Sequence, residues 1–374
     1  MGRKLLIVNQ NSGYLTIDVA NAFIEQFDEV VVMFGHNRVT ERDFHPRIKI
    51  QKTIKYDRSS IVRRLWTWGL CTLHLFFLLV WKYRRHHVVY YTNPPMSYFN
   101  ALIFSNPFSV VVFDTYPDTL KLIGIKDTSF IYKIWVKINK QVFDQAIQII
   151  TLSEGMKSQL THYTNENKIK VVPIWAASDS FKPIVKSENL FVKQNNWSDK
   201  FIILYSGNMG IGHKLEVLID VAAGLKGHTD LHFLFVGEGT KKKTLMELVN
   251  QKSLPNVSFL TWQDSSVFPY SLAAGDIAVV ALEPEATHAS VPSKTFNYMA
   301  VGAPILGIGS SDSELEKIID QNQIGLYTSG KEIKEIENFI LDLYQNLKKR
   351  NEFSSRAFIT AKSFHYSLAK SYLY

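Results

Sequence analysis

The residues with the strongest chemical signal in this 374-residue chain form the segment Tyr205-Ser206-Gly207-Asn208-Met209-Gly210-Ile211-Gly212-His213-Lys214. An apolar run precedes the segment and a helical pattern follows it, so the glycines fall between a strand and a helix. Glycine lets backbone amides approach an anion, and the amino end of a helix favours phosphate. The segment therefore predicts a diphosphate site, although a tight turn without a ligand gives the same pattern. It lacks GxGxxG spacing, which disfavours a dehydrogenase.

A second glycine turn, Val236-Gly237-Glu238-Gly239, follows the next predicted strand. The carboxyl ends of parallel strands share one edge of a sheet, so we predict that this turn contacts the nucleoside. The alternative is a strand-to-helix connection that only needs a flexible backbone.

A third segment opens a helix at Pro292-Ser293-Lys294. Pro292 and Ser293 are predicted to cap this helix, and Ser293 and Lys294 to hold phosphate oxygens. Asn297 lies one turn later on the same face, where it can bind hydroxyl groups. The alternative for Lys294 is a solvated surface charge.

In the first half of the chain, Asp114 follows the apolar run 110–113. A carboxylate at this position can hydrogen-bond or deprotonate an acceptor hydroxyl, and the alternative is a side chain that caps the next turn. Asp118 is a second, weaker candidate. Gly13 follows the first strand and is predicted to let its loop approach the donor phosphates.

These residues are connected by alternating strand-like and helical segments, which predict parallel sheets covered by helices. The predicted strands are 4–8, 30–34, 88–92, 110–113, 147–152, 169–172, 202–205, 231–236, 257–260, 277–281 and 304–307. The alternation stops near 173–197 and then restarts, so the fold class is α/β with two Rossmann-like, doubly wound domains facing across a cleft. The predicted division is a domain at 1–180, a linker at 181–200, a second domain at 201–350 and a terminal helix at 351–374 packing on the first domain.

Positive charge is concentrated in the first half of the chain. Residues 1–180 carry 22 Lys and Arg against 14 Asp and Glu, whereas residues 181–374 carry 20 of each. This asymmetry favours an anionic partner, such as a membrane surface or a lipid diphosphate. Nucleic acid is disfavoured because no RNA- or DNA-binding motif accompanies the charge.

The segment 65–81 reads LWTWGLCTLHLFFLLVW between basic residues. Its length is at the lower limit for a membrane-spanning helix, and spanning would divide the first predicted sheet. Basic residues at both ends also contradict a positive-inside bias. A helix lying in the membrane interface and a helix buried in the core are equally consistent with the pattern.

Cysteine content and the amino terminus predict a cytoplasmic location. Cys71 is the single cysteine, which rules out an internal disulfide framework and fits a reducing compartment. The apolar run after Met1 is too short for a signal peptide. No spacing of metal ligands was found, so neither a metal nor another cofactor is expected.

The three segments of the second half resemble family-four glycosyltransferases of the GT-B fold, especially bacterial polysaccharide enzymes with an SGNMGxxH turn and a VPSK helix. Asp114-Thr115-Tyr116-Pro117-Asp118 and Leu152-Ser153-Glu154-Gly155-Met156-Lys157 resemble the same family. The resemblance covers most of the chain. It implies transfer of a sugar from a nucleoside-diphosphate sugar with retention of anomeric configuration.

Positions in the predicted elements and the resemblance together predict roles for individual residues. The predicted catalytic residues are Asp114, Lys214 and Lys294, with Tyr116 and Asp118 on the acceptor side. The predicted donor-binding residues are Gly13, Ser206, Gly207, Asn208, Gly210, His213, Gly237, Glu238, Gly239, Pro292, Ser293 and Asn297.

The sequence departs from the common family pattern at two sites. The two glutamates that the family places eight positions apart fall on Ala289 and Asn297, and Asn208 replaces a basic residue. Neutralisation of the diphosphate charge is therefore expected from Lys214 and Lys294.

The expected function is sugar transfer to a lipid-linked or oligosaccharide acceptor in surface polysaccharide synthesis, at the inner face of the cell membrane. Two alternatives remain. One is a sugar-nucleotide epimerase of similar architecture, and the other is a non-catalytic, membrane-associated partner of a transferase.

Overall fold

A computed structural model of the protein describes residues 2–37, 42–57, 59–287 and 292–372. The chain divides into two compact units, one formed by Met1–Ile174 with Tyr366–Tyr374 and the other by Trp175–His365. Each unit contains its own parallel sheet with helical connections. The predicted α/β class with two doubly wound domains is confirmed.

Most strands in the sheet of the first unit are apolar and buried, and the edge strand Lys49–Lys52 is polar and largely exposed. Its strands are β1 (Lys4–Val8), β3 (Glu29–Phe34), β5 (Lys49–Lys52), β6 (His87–Tyr91), β7 (Phe108–Val112), β8 (Gln148–Thr151) and β9 (Ile169–Val171), and a separate pair is formed by β2 (Asn11–Ser12) and β4 (His36–Asn37). The order in the sheet is β5-β3-β1-β6-β7-β8-β9, with all pairs parallel. Burial along whole strands is expected for a parallel sheet whose two faces are covered.

Serine side chains define the beginning of several helices in this unit. The helices are α1 (Tyr14–Ala22), α2 (Ile61–Trp81), α3 (Phe130–Gln145) and α4 (Glu154–Leu160), with 3₁₀ segments at Ser97–Leu102, Asp118–Ile123, Glu166–Lys168 and Tyr366–Tyr372. The hydroxyls of Ser60, Ser129 and Ser153 accept hydrogen bonds from the amides three residues later, at 3.2, 3.3 and 3.2 Å. These bonds satisfy amides that have no partner within the helix.

The second unit has a six-stranded parallel sheet. The strands are β10 (Phe201–Ser206), β11 (Leu231–Val236), β12 (Val257–Leu260), β13 (Ile277–Ala281), β14 (Ile305–Ile308) and β15 (Gly325–Thr328). Their order is β12-β11-β10-β13-β14-β15, so the direction of winding reverses at β10. The helices are α5 (Leu190–Gln194), α6 (Glu216–Gly224), α7 (Lys242–Gln251), α8 (Phe268–Leu272), α9 (Pro284–Thr287), α10 (Lys294–Ala300), α11 (Glu314–Asn322), α12 (Ile333–Gln345) and α13 (Leu347–Ala361), with a 3₁₀ segment at Lys186–Glu188. Ligands of doubly wound sheets bind at the carboxyl edge near such a reversal.

The boundary between the units differs from the predicted linker at 181–200. Residues from Trp175 onward belong to the second unit, and α5 forms inside the predicted linker. The Asn189 side chain donates to the Tyr270 carbonyl at 2.8 Å, and Lys186 forms an ion pair with Asp276. These contacts hold the segment against the second unit, although its composition is typical of a linker.

The carboxyl-terminal region also differs from the prediction of a helix at 351–374 that packs on the first domain. Helix α13 belongs to the second unit, where it contacts α10 and α12. The part that packs on the first unit is the 3₁₀ segment Tyr366–Tyr372, which contacts α1. Tyr372 and Ala369 are buried there, so apolar burial explains this contact.

Candidate nucleotide and acceptor sites

Helix α10 is tied to the carboxyl end of β10 by the hydroxyl of Tyr298. The Ser206 amide donates to this hydroxyl at 2.7 Å, and the hydroxyl donates to the Ser206 carbonyl at 3.1 Å. Tyr298 is fully buried. Lys294 lies four residues earlier on the same face of the helix. The Tyr298 contact therefore brings the Lys294 side chain to the Gly207 turn.

Lys294 carries a buried ammonium group. Its Nζ atom has no hydrogen-bond partner among the described residues and lies 3.8 Å from the ring centroid of Tyr205. A Cβ atom added to Gly207 would lie 2.7 Å from this nitrogen. Burial lowers the pKa of Lys294 to about 7. A buried cation without an ionic partner is costly, and the aromatic ring compensates only in part. The site is consequently suited to an anion, and the alternative of a solvated surface charge is wrong.

The turn itself is held by short contacts within the segment. The Tyr205 hydroxyl donates to the Asn208 carbonyl at 2.6 Å. A Cβ atom on Gly210 would lie 2.5 Å from Nδ2 of Asn208, so this side chain lies against the glycine. The structure thus brings the predicted residues Ser206, Gly207, Asn208 and Gly210 together beside Lys294.

His213 joins the same cluster as a neutral ring. Its Nδ1 atom donates to the Ala281 carbonyl at 3.0 Å, and its ring meets the Tyr205 ring edge-on at 6.0 Å. Burial, and then the nearby charge of Lys294, lowers the pKa of His213 to about 4. Because Nδ1 carries the proton, Nε2 is the acceptor atom of the ring. His213 can therefore accept a hydrogen bond from a hydroxyl but supplies no positive charge.

The second turn packs its backbone directly on the first. A Cβ atom on Gly237, which has φ 132°, would lie 2.1 Å from the Gly207 carbonyl oxygen. One on Gly239 would lie 2.4 Å from the Met209 carbonyl oxygen. Close packing of the two turns explains both glycines without a nucleoside. The Glu238 carboxylate is paired with Lys242 at 2.7 Å.

Other predicted residues are engaged elsewhere. Lys214 donates to the Ser329 carbonyl at 3.0 Å, and the Asn297 Oδ1 atom accepts from the Ala177 amide at 2.9 Å. Ser293 is exposed, and its side chain makes no capping hydrogen bond to the Lys294 helix, contrary to the predicted cap. Pro292 precedes it, and its carbonyl accepts from the Thr295 amide at 3.0 Å. The Lys294 side chain therefore lies at the turn, whereas the Lys214 ammonium is bound to the Ser329 carbonyl. Ala289 lies outside the described residues.

Lys241 was missed by the sequence analysis. Its ammonium donates to the His213 carbonyl at 2.9 Å and pairs with Glu216 and Glu283 at 3.0 and 2.7 Å. These contacts fix the segment that carries His213. There was little indication in the sequence that Lys241 is partly buried near the site, because it begins a run of three lysines, which is typical of an exposed helix start. Tyr298 was also missed, although its spacing of four from Lys294 was a usable signal.

A separate cavity of about 240 Å³ lies in the first unit and contains two predicted residues, Gly13 and Asp114. The cavity is lined by Asn9, Asn11, Gly13, Tyr14, Leu15, Thr16, Tyr91, Thr92, Asn93, Phe113 and Asp114. Asp114 is positioned by its amide, which donates to the Thr92 hydroxyl at 3.3 Å. The Oδ1 atom of Asn93 is buried and has no hydrogen-bond partner among the described residues. The cavity therefore brings Gly13 and Asp114 together at one place in the first unit.

Tyr116 and Asp118, predicted on the acceptor side, have structural contacts. The Asp118 carboxylate accepts hydrogen bonds from Tyr132, Tyr163 and Lys121 at 2.6, 2.8 and 3.1 Å. Burial raises the pKa of the Asp118 carboxyl, whereas these hydrogen bonds lower it. The resulting pKa lies below the usual value for aspartate. The Tyr116 ring stacks on Trp135 with centroids 5.7 Å apart. These contacts account for both residues without an acceptor.

Known proteins similar to this chain are glycosyltransferases. The family described as Glycosyl transferases group 1 matches residues 186–359. Probable glycosyltransferase WbjE of Pseudomonas aeruginosa is 25% identical over 332 residues, which cover 85% of this chain and 82% of that protein. Putative colanic acid biosynthesis glycosyl transferase WcaI of Escherichia coli (strain K12) is 34% identical over 122 residues, 33% of this chain and 30% of that protein.

Among solved structures, HepE of Anabaena in complex with UDP and glucose matches with a TM-score of 0.74 and 15% identity, over 99% of this chain and 97% of that one. This likeness concerns the fold. Of the alternatives considered from the sequence, these findings favour the transferase over the epimerase and the non-catalytic partner. Residues 186–359 thus match the group 1 glycosyltransferases, and the chain has the GT-B fold.

Proposed function

We propose that the protein transfers a sugar from a nucleoside-diphosphate sugar to a hydroxyl of a lipid-linked or oligosaccharide acceptor in the synthesis of a surface polysaccharide. HepE, which shares the fold, was crystallised with UDP and with UDP-glucose. WcaI, which is similar in sequence, is named for colanic acid biosynthesis. The likeness to HepE supports a nucleotide-sugar donor, and the likeness to WcaI supports a polysaccharide product.

One observation carries the donor site, namely the buried ammonium of Lys294 beside the Gly207 turn. A diphosphate bound at this turn would give the ammonium an ionic partner, which the described residues do not supply, and would lie near the point where β10 reverses the sheet order. The neutral His213 ring is close to the same cation and offers Nε2 to a donor hydroxyl. The turn therefore combines one cation and one uncharged acceptor.

In the proposed reaction, the bond between the anomeric carbon and the diphosphate oxygen breaks, and its electron pair stays on that oxygen. Lys294 stabilises the charge that develops there. The acceptor hydroxyl forms the new bond to the anomeric carbon on the same face of the sugar, and its proton passes to Asp114. The products are the nucleoside diphosphate and a glycoside of retained configuration.

The donor site is tested by thermal unfolding with UDP, ADP, GDP, CDP and dTDP, because a ligand that binds only the folded state raises Tm. We expect one diphosphate to raise the Tm of the wild type. Lys294→Met keeps most of the side-chain volume and is expected to weaken binding roughly ten- to hundredfold, as for loss of a charge-assisted bond.

Lys243→Met is the matched control, since the Lys243 side chain is 88% exposed on α7. It should bind the diphosphate as the wild type does. Equal binding by Lys294→Met and the wild type would overturn the donor-site assignment. Donor turnover then tests the reaction class, because a transferase releases nucleotide rapidly only with acceptor present, whereas an epimerase converts the nucleotide sugar alone.

A further inference from the structure

Helix α2 has one buried face and one exposed apolar face. Trp68, Cys71, Leu75 and Leu79 are buried. The opposite side carries a stripe of exposed apolar side chains along the whole helix, namely Val62, Trp66, Leu73, Phe77 and Trp81. Trp66 is 68% exposed and Trp81 is 82% exposed. A surface helix normally places polar residues at these positions, so this stripe requires an explanation.

The helix is long and apolar enough to cross a membrane by length and composition. The sheet excludes this orientation. Strand β5 precedes α2 and β6 follows it, and both belong to the same seven-stranded sheet. A helix that crossed a bilayer would place β6 on the other side from β1, with which it is paired. The exposed stripe therefore lies along the surface of the first unit.

Neighbouring segments extend this surface. The connections β5 to β6, β6 to β7 and β7 to β8 all run in the same direction across the sheet, so right-handed crossovers place α2, Ser97–Leu102 and α3 on one side. Ring contacts confirm their order, with Phe76 at 5.2 Å from Phe104 and Phe99 at 5.5 Å from Trp135.

The added segments also expose apolar side chains, which are Leu102, Ile103, Phe130, Ile131 and Ile134. We call this combined surface, formed by the exposed sides of α2, of residues 102–103 and of α3, the α2–α3 face.

Positive charge predominates on the α2–α3 face, where the exposed Asp144 of α3 is paired with Lys168 at 3.9 Å. The sequence contains no Asp or Glu between Asp57 and Asp114, but it contains Arg63, Arg64, Lys82, Arg84 and Arg85 at the two ends of α2. On α3, the residues Lys133, Lys137 and Lys140 are exposed on the same side as Phe130 and Ile134. Basic side chains thus lie at both ends of the apolar stripe on α2 and along the neighbouring helix α3.

We propose that the α2–α3 face binds the surface of a bilayer containing anionic phospholipids, with α2 lying in the plane of the membrane. Tryptophan and long basic side chains suit the interface, where the apolar part is buried and the charge meets phosphate groups. A second copy of the chain would bring like charges together, which disfavours self-association. The proposal rests on the proposed function only where the acceptor is lipid-linked, since the face and its charges do not involve the donor site.

The test is sedimentation of the full-length protein with vesicles of phosphatidylcholine, with and without phosphatidylglycerol. We expect binding that requires phosphatidylglycerol and decreases with salt. The double variant Trp66→Ser/Trp81→Ser is expected to bind at least roughly tenfold more weakly. Lys133→Gln and Lys137→Gln are each expected to weaken binding about fivefold.

The controls are Ile359→Ser, whose wild-type side chain is 60% exposed on α13, and Lys243→Gln on α7. Both should bind vesicles as the wild type does. All variants should keep the Tm and the diphosphate response of the wild type, which separates this proposal from the donor site. Absence of vesicle binding, equal binding by all variants, or a dimer in solution that the double variant abolishes would each overturn the proposal.

Discussion

Lys294 has a pKa of about 7 in the ligand-free protein, so it loses its charge just above neutral pH. A bound diphosphate favours the charged form and raises this pKa. We therefore expect diphosphate binding at pH 8 to take up as much as one proton, and affinity to fall as the pH rises from 7 to 9. Calorimetric titration in two buffers of different ionisation enthalpy measures the uptake.

The variant Lys294→Met has no proton to gain at this position, so its binding enthalpy at pH 8 should not depend on the buffer. Lys243→Met should behave as the wild type. Proton uptake that persists in Lys294→Met would assign the titration to another group. The neutral His213 ring is the nearest alternative, but its pKa of about 4 places its titration well below this pH window.

The sequence could predict which residues lie near the turn, but it could not predict which atoms their side chains contact. Lys214 and Lys294 both stand at predicted helix starts, and either could neutralise phosphate. The choice depends on the Tyr298 hydroxyl, which ties α10 to β10, and on the Ser329 carbonyl, which binds Lys214. Both contacts join residues that are far apart in the chain. The periodicity of apolar residues predicts helices and strands but not contacts of this kind.

Gly13 and Gly237 differ in whether the packing of the fold requires a glycine. Among the described atoms, nothing lies within 4 Å of a Cβ added to Gly13, and its φ of −152° is ordinary for any residue. Gly237 has φ 132°, and a Cβ there would meet the Gly207 carbonyl at 2.1 Å. We expect Gly13→Ala to keep the Tm of the wild type but to reduce transfer, and Gly237→Ala to lower both Tm and diphosphate binding.

Thermal unfolding and steady-state transfer by the two variants check this contrast. If Gly13→Ala transfers sugar at the wild-type rate, the first-unit cavity does not receive a ligand close to this loop. If Gly237→Ala keeps its Tm, the two turns are less tightly packed than the structure shows.

Most elements were predictable because apolar runs of buried parallel strands are easily recognised. Each of the eleven predicted strands overlaps one in the structure, and the predicted helix start at Lys294 is that of α10. Strand β5 was missed because its sequence, KIQK, is polar and largely exposed at the edge of the sheet. The sequence also left two explanations for the Gly237 turn, since close approach between two backbone segments is a tertiary feature.

For the whole molecule, the division into two units places the boundary at Ile174 and returns the last residues to the first unit. Composition could not predict the exact boundary or the residue at which the end of the chain divides between the units. The polar segment after Trp175 is ordered by contacts with distant residues such as Tyr270 and Asp276. The aromatic end of the chain is divided at His365, with Phe364 contacting Phe296 in the second unit and Tyr372 buried in the first.

This division makes a prediction about stability, because each unit has its own core and only the second contains the proposed donor site. Tyr372 is fully buried in the segment that packs on α1. Tyr372→Ala should destabilise the first unit by roughly 3 to 5 kcal/mol, as for removal of a buried aromatic side chain. A diphosphate should stabilise the second unit by binding to it.

Differential scanning calorimetry of Tyr372→Ala with added diphosphate should therefore resolve two transitions, of which only the upper one moves with ligand concentration. Ile359→Ala is the control, since this residue lies in the preceding helix and is 60% exposed, and it should unfold as the wild type does. A single transition that shifts as a whole would mean that the two units unfold cooperatively. In that case, the carboxyl-terminal segment would transmit the loss of Tyr372 to the donor site, and diphosphate binding would weaken together with stability.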